Sequence, residues 1–205
     1  MSFDKEARNW DQDPEKVNRA RAFAEEIIRF IKPEKNMSAM EFGCGTGLFS
    51  EQLKDHFQKI SLLDTSEGMI EVLKEKIKEK GLSNFHPYLT DLTRESFDQK
   101  DLDMIYTSMT LHHIHDLKQI LRTFNSLLKT NGYLCIADLE KEDGTFHSGS
   151  SFDGHYGFDK EELSELLSQN GLKVVYYSQS YTLKRERDGI VKEFPLFMMI
   201  AQKIN

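Results

Sequence analysis

The sequence predicts an α/β protein built on a doubly wound, seven-stranded mixed sheet, mainly parallel, with helices on both faces. Short apolar runs alternate with amphipathic runs over residues 14–140, as expected for parallel strands joined by helices. A glycine-rich stretch, "GCGTG" at 43–47, separates the first strand-like run from a helix-like run. The last two apolar runs are joined only by the charged segment 184–189, which predicts an antiparallel hairpin closing the sheet.

The helices are predicted from apolar spacing and from their end signals. The first, 14–31, has Asp13 as N-cap and Pro14 at its first position. The second follows the glycines over 48–57, and the third begins at Ser66 and ends at Gly81. The fourth covers 116–129 and is closed by Asn-Gly, and the fifth covers 159–171.

The strands are predicted from short apolar or alternating runs bounded by turn residues. Pro87 interrupts the third run and favours an edge position for it. The predicted strands are 36–42, 59–64, 84–91, 102–108, 132–140, 172–183 and 189–203.

Composition excludes several classes of function. The 205 residues suit one domain, and the net charge of −7 argues against a nucleic-acid partner. The longest apolar runs, such as 194–201, are too short to cross a bilayer, and the charged N-terminus lacks the apolar stretch of a signal peptide. We therefore expect a cytoplasmic protein with no membrane partner and with Cys44 and Cys135 reduced. The sequence indicates no oligomeric state.

The glycines lie where a doubly wound sheet binds ligands, beyond the carboxyl end of the first strand. Asp64 ends the second strand some 20 residues later, where an acid accepts hydrogen bonds from ribose hydroxyls. Asp91 follows the third strand, where a carboxylate can receive an exocyclic amine. A dinucleotide fingerprint requires a glycine at position 48, which is leucine. The pattern thus favours an adenosine cofactor other than a dinucleotide.

Four segments together, "EFGCGTG", "LLDTS", "LTDL" and "LDMIYTSMTLHHI", resemble the class I S-adenosylmethionine-dependent methyltransferases of small-molecule type. The resemblance covers about residues 37–140, and the closing hairpin matches that family's last strands. It implies a Rossmann-like sheet of order 3-2-1-4-5-7-6 and S-adenosylmethionine as cofactor, with S-adenosylhomocysteine as product. It also implies methyl transfer to a small-molecule acceptor by in-line displacement, which depends mainly on positioning.

The resemblance also implies roles for individual residues. Glu41 would orient the glycine loop or meet the methionine ammonium through water. Cys44 is interpreted as a small filler rather than a nucleophile, because no paired base is evident. The other predicted cofactor contacts are Gly43, Gly45 and Gly47 at the methionine and ribose, Asp64 at the ribose hydroxyls, Thr65 and Met69 beside the adenine, Asp91 at the adenine amine, Leu92 through its backbone N–H, and Thr107 and Ser108 at the methionine and the transferred methyl.

Two histidine-containing segments lie where the acceptor is expected. In "LHHIHD", His113 is a candidate catalytic residue and His112 a candidate substrate contact, while His115 is expected to have a capping or packing role beside Asp116. In the loop 141–158, His155 is the second catalytic candidate, and His147 and Tyr156 are candidate substrate contacts. No metal site is predicted, because the sequence alone does not place the partners that a metal-binding histidine needs.

The loop 141–158 is predicted either as a mobile, polar substrate lid or as a plain connector to the helix at Asp159. Trp10, the only tryptophan, is expected on an N-terminal arm that folds over the cofactor, with a core position as the alternative. The single methyltransferase domain, 1–205, then divides into arm and helix (1–35), cofactor-binding core (36–140), lid loop (141–158), and helix with closing hairpin (159–205). An NAD-dependent oxidoreductase and a non-catalytic S-adenosylmethionine-binding protein are the alternative functions.

Overall fold

The computed structural model describes residues 3–147, 152–187 and 189–204. Its strands form one seven-stranded sheet of order β3-β2-β1-β4-β5-β7-β6. The strands are β1 (Ser38–Phe42), β2 (Lys59–Asp64), β3 (Phe85–Leu89), β4 (Leu102–Ser108), β5 (Leu128–Leu139), β6 (Leu172–Arg187) and β7 (Ile190–Lys203). The first five pair in parallel, whereas β7 runs antiparallel to both β5 and β6. The predicted fold class is confirmed, and Pro87 does lie on an edge strand.

Helices cover both faces of the sheet. The α-helices are α1 (Phe3–Glu6), α2 (Pro14–Ile31), α3 (Leu48–Leu53), α4 (Glu67–Lys80), α5 (Leu117–Leu127) and α6 (Lys160–Gln169). Apolar residues of α2, α3 and α4 pack on one face, and those of α5 and α6 pack on the other. Neighbouring strand residues such as Ala39 and Met40 therefore enter different cores, as the two-residue period of a strand requires. The doubly covered sheet is what brings the strand ends together at one edge.

Several predicted boundaries are wrong. The helix expected over 116–129 ends at Leu127, because the buried Leu128 is extended and pairs with Leu102 of β4. The charged turn expected at 184–189 begins later, since β6 continues through Arg187. Lys184 pairs there with Glu193 across the hairpin, with 2.9 Å between the charged atoms. Charged residues are compatible with these exposed strand positions because their side chains reach solvent.

The helix predicted over 48–57 is also shorter than expected. Its α-helical part ends at Leu53, and a turn of 3-10 helix follows over Lys54–His56. Among the described residues, no helix combines the length and the apolar character needed to cross a membrane.

Candidate active site

The strand order reverses between β1 and β4. From β1 the chain adds β2 and β3 on one side of the sheet and then adds β4 on the other side. The glycine loop, residues 43–47, leaves β1 at this point and leads into α3. It is held in place by the carbonyl of Leu63, which accepts from the backbone N–H groups of Gly43 and Cys44, both at 2.9 Å. Ligands of doubly wound sheets bind at such a reversal.

The three positions of the loop require glycine for different physical reasons. All have positive φ, +71° at Gly43, +52° at Gly45 and +77° at Gly47, which disfavours other residues. A Cβ on Gly43 would lie 2.3 Å from the Thr110 hydroxyl oxygen, and one on Gly47 would lie 2.8 Å from Leu73. Those two positions are fixed by packing within the chain. A Cβ on Gly45 would be in ordinary van der Waals contact with the Met69 sulfur at 3.8 Å and the Trp10 ring nitrogen at 3.9 Å, so this position is the least crowded of the three.

Asp64 ties the loop to the end of β2. Its carboxylate accepts from the Gly45 N–H at 2.7 Å and from the Ser66 N–H at 2.8 Å. Burial raises the pKa of Asp64 above its ordinary value, and the nearby Asp4 carboxylate adds to the rise. Met69, predicted beside the adenine, is buried, and its sulfur approaches the Gly45 position. Thr65 is exposed between them.

Glu41 lies beneath the loop, only 2% exposed. It accepts a hydrogen bond from Ser50 of α3, and the Ser50 oxygen lies 2.5 Å from the Tyr106 hydroxyl. Burial raises the pKa of Glu41 to about 8, opposed in part by the Ser50 contacts. This placement favours the predicted loop-orienting role over the alternative, contact with a methionine ammonium through water, because the carboxyl group is enclosed by protein. Cys44 is buried as well, and its thiol pKa is raised by burial, which agrees with a filler.

The residues predicted around the adenine and the methyl group differ in burial and in hydrogen bonding. Asp91 follows β3, half-buried, and its carboxylate accepts from Thr93 at 3.0 Å (N–H) and 2.6 Å (hydroxyl). Leu92 is buried beside it. The Thr107 hydroxyl is buried and donates to the Phe42 carbonyl at 2.9 Å, and its expected contact with the methionine and the transferred methyl stays a prediction. Ser108 is half-buried at the end of β4.

An N-terminal arm, formed by α1 and a 3-10 helix over Ala7–Gln12, lies across this edge. The Asp4 carboxylate accepts from the Ser66 hydroxyl at 2.6 Å and from the Gly68 N–H at 3.0 Å. These groups belong to the N-terminal end of α4, where the helix dipole favours an anion. Trp10 faces the glycine loop, since a Cβ on Gly45 would lie 3.9 Å from its ring nitrogen. The structure therefore places Trp10 on an arm, as expected, although its contact with a cofactor stays a prediction.

The sequence analysis missed the residues that anchor this arm. The Thr46 hydroxyl donates to Asp11 at 2.5 Å, and Lys76 forms an ion pair with Asp11. Lys16 lies 3.6 Å above the centre of the Trp10 ring, in a cation–π contact. The partners of Asp4 and Asp11 are 62 and 35 residues away along the chain. No local pattern marks such pairs.

Three of the histidines expected near the methyl acceptor meet in space. His112 is buried, and its ring centre is 4.1 Å from that of His113 and 5.2 Å from that of His147. Its Nδ1–H donates to the fully buried Asp138 at 2.6 Å, a partner that the sequence analysis missed. Burial lowers the pKa of both His113 and His147 to about 4, with His112 adding to the effect. His113 is therefore neutral near pH 7 and a weak base.

Two other histidines, His155 and His115, make contacts of a different kind. His155 donates from Nε2 to the Ile114 carbonyl at 3.0 Å, and its backbone N–H donates to the His112 carbonyl at 2.8 Å. These contacts fix the loop, and with the proton on Nε2 the lone pair of the neutral ring lies on Nδ1. The catalytic role of His155 stays a prediction. His115 does not cap the helix, because Asp116 is the N-cap and accepts from Gln119. His115 is exposed and 3.8 Å from Asp153.

The predicted lid loop, 141–158, is anchored at both ends in its described part, while residues 148–151 lie outside the described residues. The described part of the loop also buries apolar side chains, since Phe158 is buried and Phe146 packs against Phe194 with ring centres 5.2 Å apart. Arg187 donates to the Thr145 carbonyl at 2.7 Å. Tyr156 is 48% exposed and packs its ring near Gly144.

Comparison with known proteins agrees with this geometry. A family model described as a methyltransferase domain matches residues 16–177. An uncharacterized methyltransferase of Schizosaccharomyces pombe is 30% identical over 154 residues, which cover 68% of this chain and 54% of that protein. The malonyl-[acyl-carrier protein] O-methyltransferase 2 of Ilyobacter polytropus is 31% identical over 206 residues, which cover 99% of this chain and 76% of that protein. The chain thus spans about half of the first relative and three quarters of the second.

Among solved structures, an S-adenosylmethionine-dependent methyltransferase from Aquifex aeolicus superimposes with a TM-score of 0.71. The match covers 96% of this chain and 97% of that one at 19% identity, a likeness that concerns the fold. The predicted resemblance is confirmed, and the alternative of an NAD-dependent oxidoreductase is set aside, because Leu48 and the matched family both disagree with it. This chain belongs to the methyltransferase domain family of S-adenosylmethionine-dependent enzymes.

Proposed function

We propose that the chain transfers a methyl group from S-adenosylmethionine to a small-molecule acceptor. The observation that carries the proposal is the contact between the Asp64 carboxylate and the Gly45 N–H, 2.7 Å long, at the reversal point of the sheet. This contact supports a role for Asp64 as acceptor for ribose hydroxyls, because the carboxylate lies against the glycine whose Cβ position is the least crowded of the three. An O-methyltransferase relative that matches 99% of the chain supports the reaction class.

The residues at this edge fit the cofactor. Asp64 would hold the ribose hydroxyls, Met69 would lie against the adenine, and Asp91 would receive the adenine amine. When bound, the cofactor supplies an activated methyl group on a sulfonium. The protein's own part is to align the acceptor with that methyl and to exclude water, since positioning alone can contribute roughly 7–11 kcal/mol. The histidine cluster beside Thr110 is the proposed acceptor side, because Thr110 packs directly on Gly43.

The wider assignments made from the sequence also stay proposals. One sheet runs through the described residues of 38–203, which supports a single domain with an arm and a loop added to it. The net charge of −7 supports a small acceptor over a nucleic acid. A cytoplasmic location remains a prediction.

Binding of the cofactor is the first test. We expect micromolar binding of S-adenosylmethionine and of S-adenosylhomocysteine by calorimetry. We also expect a rise in melting temperature that grows with ligand concentration, because a ligand selective for the folded state stabilises it. A flat titration with both ligands at high concentration would refute the proposed function as a whole.

Replacing Asp64 tests its assignment. Asp64→Ala should weaken S-adenosylhomocysteine binding by about 1–3 kcal/mol, roughly 5- to 150-fold in Kd, because the ribose hydroxyls lose a charged acceptor. Asp64→Asn should lose less. Asp55→Ala, which removes an exposed carboxylate after α3, is the matched control and should bind normally. Unchanged affinity in Asp64→Ala would show that the ribose binds elsewhere.

Turnover is tested with a panel of small acceptors and cofactor carrying a radiolabelled methyl group. Label appearing on an acceptor supports the proposal and identifies the acceptor. Tight cofactor binding with no transfer to any acceptor would favour the alternative, a non-catalytic S-adenosylmethionine-binding protein.

A further inference from the structure

Three histidines next to the proposed cofactor site converge on one point. His112, His113 and His147 each offer one ring nitrogen, and the three nitrogens all lie within 4.8 Å of one another. Nitrogens bound to one tetrahedral zinc ion are about 3.4 Å apart, given Zn–N distances of about 2.0–2.1 Å. The rings would therefore have to approach by little more than about 1 Å, which rotation of side chains can supply.

His112 is held in the form that a metal requires. Its Nδ1–H donates to Asp138 at 2.6 Å, and the other Asp138 oxygen accepts from the His112 backbone N–H at 3.2 Å. With the proton on Nδ1, the lone pair lies on Nε2. A carboxylate behind a histidine, fixing its tautomer and orientation, is the usual support of a metal-binding imidazole. Asp138 is fully buried at this position.

Two ring nitrogens of these histidines lack hydrogen-bond partners in the described part of the chain. The Nε2 atoms of His112 and His147 are both buried, and neither has a hydrogen-bond partner among the described residues. A buried polar atom without a partner is unfavourable and calls for an explanation, such as an ion. His147 is oriented by the Phe152 ring, which stacks on it at 3.7 Å with a 13° angle between the planes. Packing against Phe152 thus fixes the ring, and its buried Nε2 atom has no hydrogen-bond partner within the described ranges.

We propose that His112, His113 and His147 bind one divalent transition-metal ion of the Zn²⁺ type. Imidazole suits this class of metal, and three protein ligands leave a fourth position open. His113, half-buried, gives the cluster a side that a ligand can reach. The open position fits an oxygen atom of the methyl acceptor. That last role rests on the proposed function, whereas metal binding by the three histidines does not.

The test uses the full chain without an affinity tag, freed of metal with a chelator and titrated with Co²⁺, then displaced by Zn²⁺. We expect one equivalent of Co²⁺ to bind with the visible absorption of a tetrahedral nitrogen site. His147→Ala and His113→Ala should each weaken binding on the order of 100-fold or more. Asp138→Asn should weaken it about 10- to 100-fold, as loss of a supporting partner does. His115→Ala, exposed in the same segment, is the matched control and should bind like the unmodified protein.

His112 and Asp138 are buried, and their variants can fail to fold, so the decision rests on His147 and His113, which are only half-buried. Absence of Co²⁺ and Zn²⁺ binding would overturn the proposal and make the cluster an aromatic packing contact. Binding that survives both His147→Ala and His113→Ala, or that is lost in His115→Ala, would overturn it as well. Calorimetry with S-adenosylhomocysteine on the metal-free protein separates this result from the proposed function, since cofactor binding there should persist in either case.

Discussion

Glu41→Gln is expected to make the protein markedly more stable than the unmodified chain at pH 8, and to bring the two closer together as the pH falls toward 4.5. The Glu41 carboxyl group is enclosed beneath the glycine loop, and burial raises its pKa from the ordinary 4.5 to about 8. Between these two values the folded state keeps a proton that the unfolded state has released. Stability should therefore fall as the pH rises, by about 1.4 kcal/mol for each pH unit.

The difference in stability between Glu41→Gln and the unmodified chain should be fully developed near pH 8 and absent below about pH 4.5. It amounts to roughly 4–5 kcal/mol over this pH range. Glutamine has the shape of the protonated acid and does not titrate, which removes this dependence. The measurement is urea unfolding of both proteins at several pH values from 4.5 to 9. Glu25→Gln, an exposed position on α2, is the control and should leave the pH dependence unchanged. Parallel stability curves for Glu41→Gln and the unmodified chain would mean that Glu41 ionises normally.

The sheet and the glycine loop could be predicted from the sequence because their signals are local. Each strand is marked by its own short apolar run, and the glycines and Asp64 lie within about 20 residues of one another. The parallel topology then brings the strand ends to one edge of the sheet. Boundaries failed where tertiary pairing overrode local pattern. Leu128 reads as part of a helix, yet its pairing with Leu102 places it in β5.

The acceptor side could be predicted only as a set of residue types. The sequence shows histidines at 112, 113, 147 and 155, but the role of each depends on partners that are distant in the chain. His112 is defined by Asp138, 26 residues away, and His155 by the Ile114 carbonyl, 41 residues away. A histidine bound to a buried carboxylate and one tied to a carbonyl look alike in sequence. Their chemistry separates only when the fold places those groups.

Gly157→Ala is expected to lower the free energy of unfolding by about 3–5 kcal/mol. Gly157 has φ of +72°, and a Cβ there would lie 2.1 Å from the Glu140 carbonyl oxygen and 2.9 Å from that of Leu139. Both obstacles are backbone atoms, so no side-chain rotation can relieve them. The loop would have to move away from the end of β5. That movement would break the hydrogen bonds from the Phe158 N–H to Leu139 and from the Lys141 N–H to Phe158, 2.9 and 3.0 Å long.

Gly81→Ala separates the cost of the left-handed backbone conformation from the cost of the close approach to Glu140. Gly81 ends α4 with φ of +63°, and a Cβ there would meet nothing within 4 Å. That variant should lose only about 1–2 kcal/mol, the cost of a left-handed conformation for alanine. Urea unfolding of both variants gives the difference that belongs to the close approach at Glu140. The displaced segment also carries the His155 N–H, which donates to the carbonyl of His112 in the proposed acceptor side at 2.8 Å. Gly157→Ala should therefore also slow turnover while leaving S-adenosylhomocysteine affinity nearly unchanged. Equal losses of stability in the two variants would contradict the described attachment of the loop to β5.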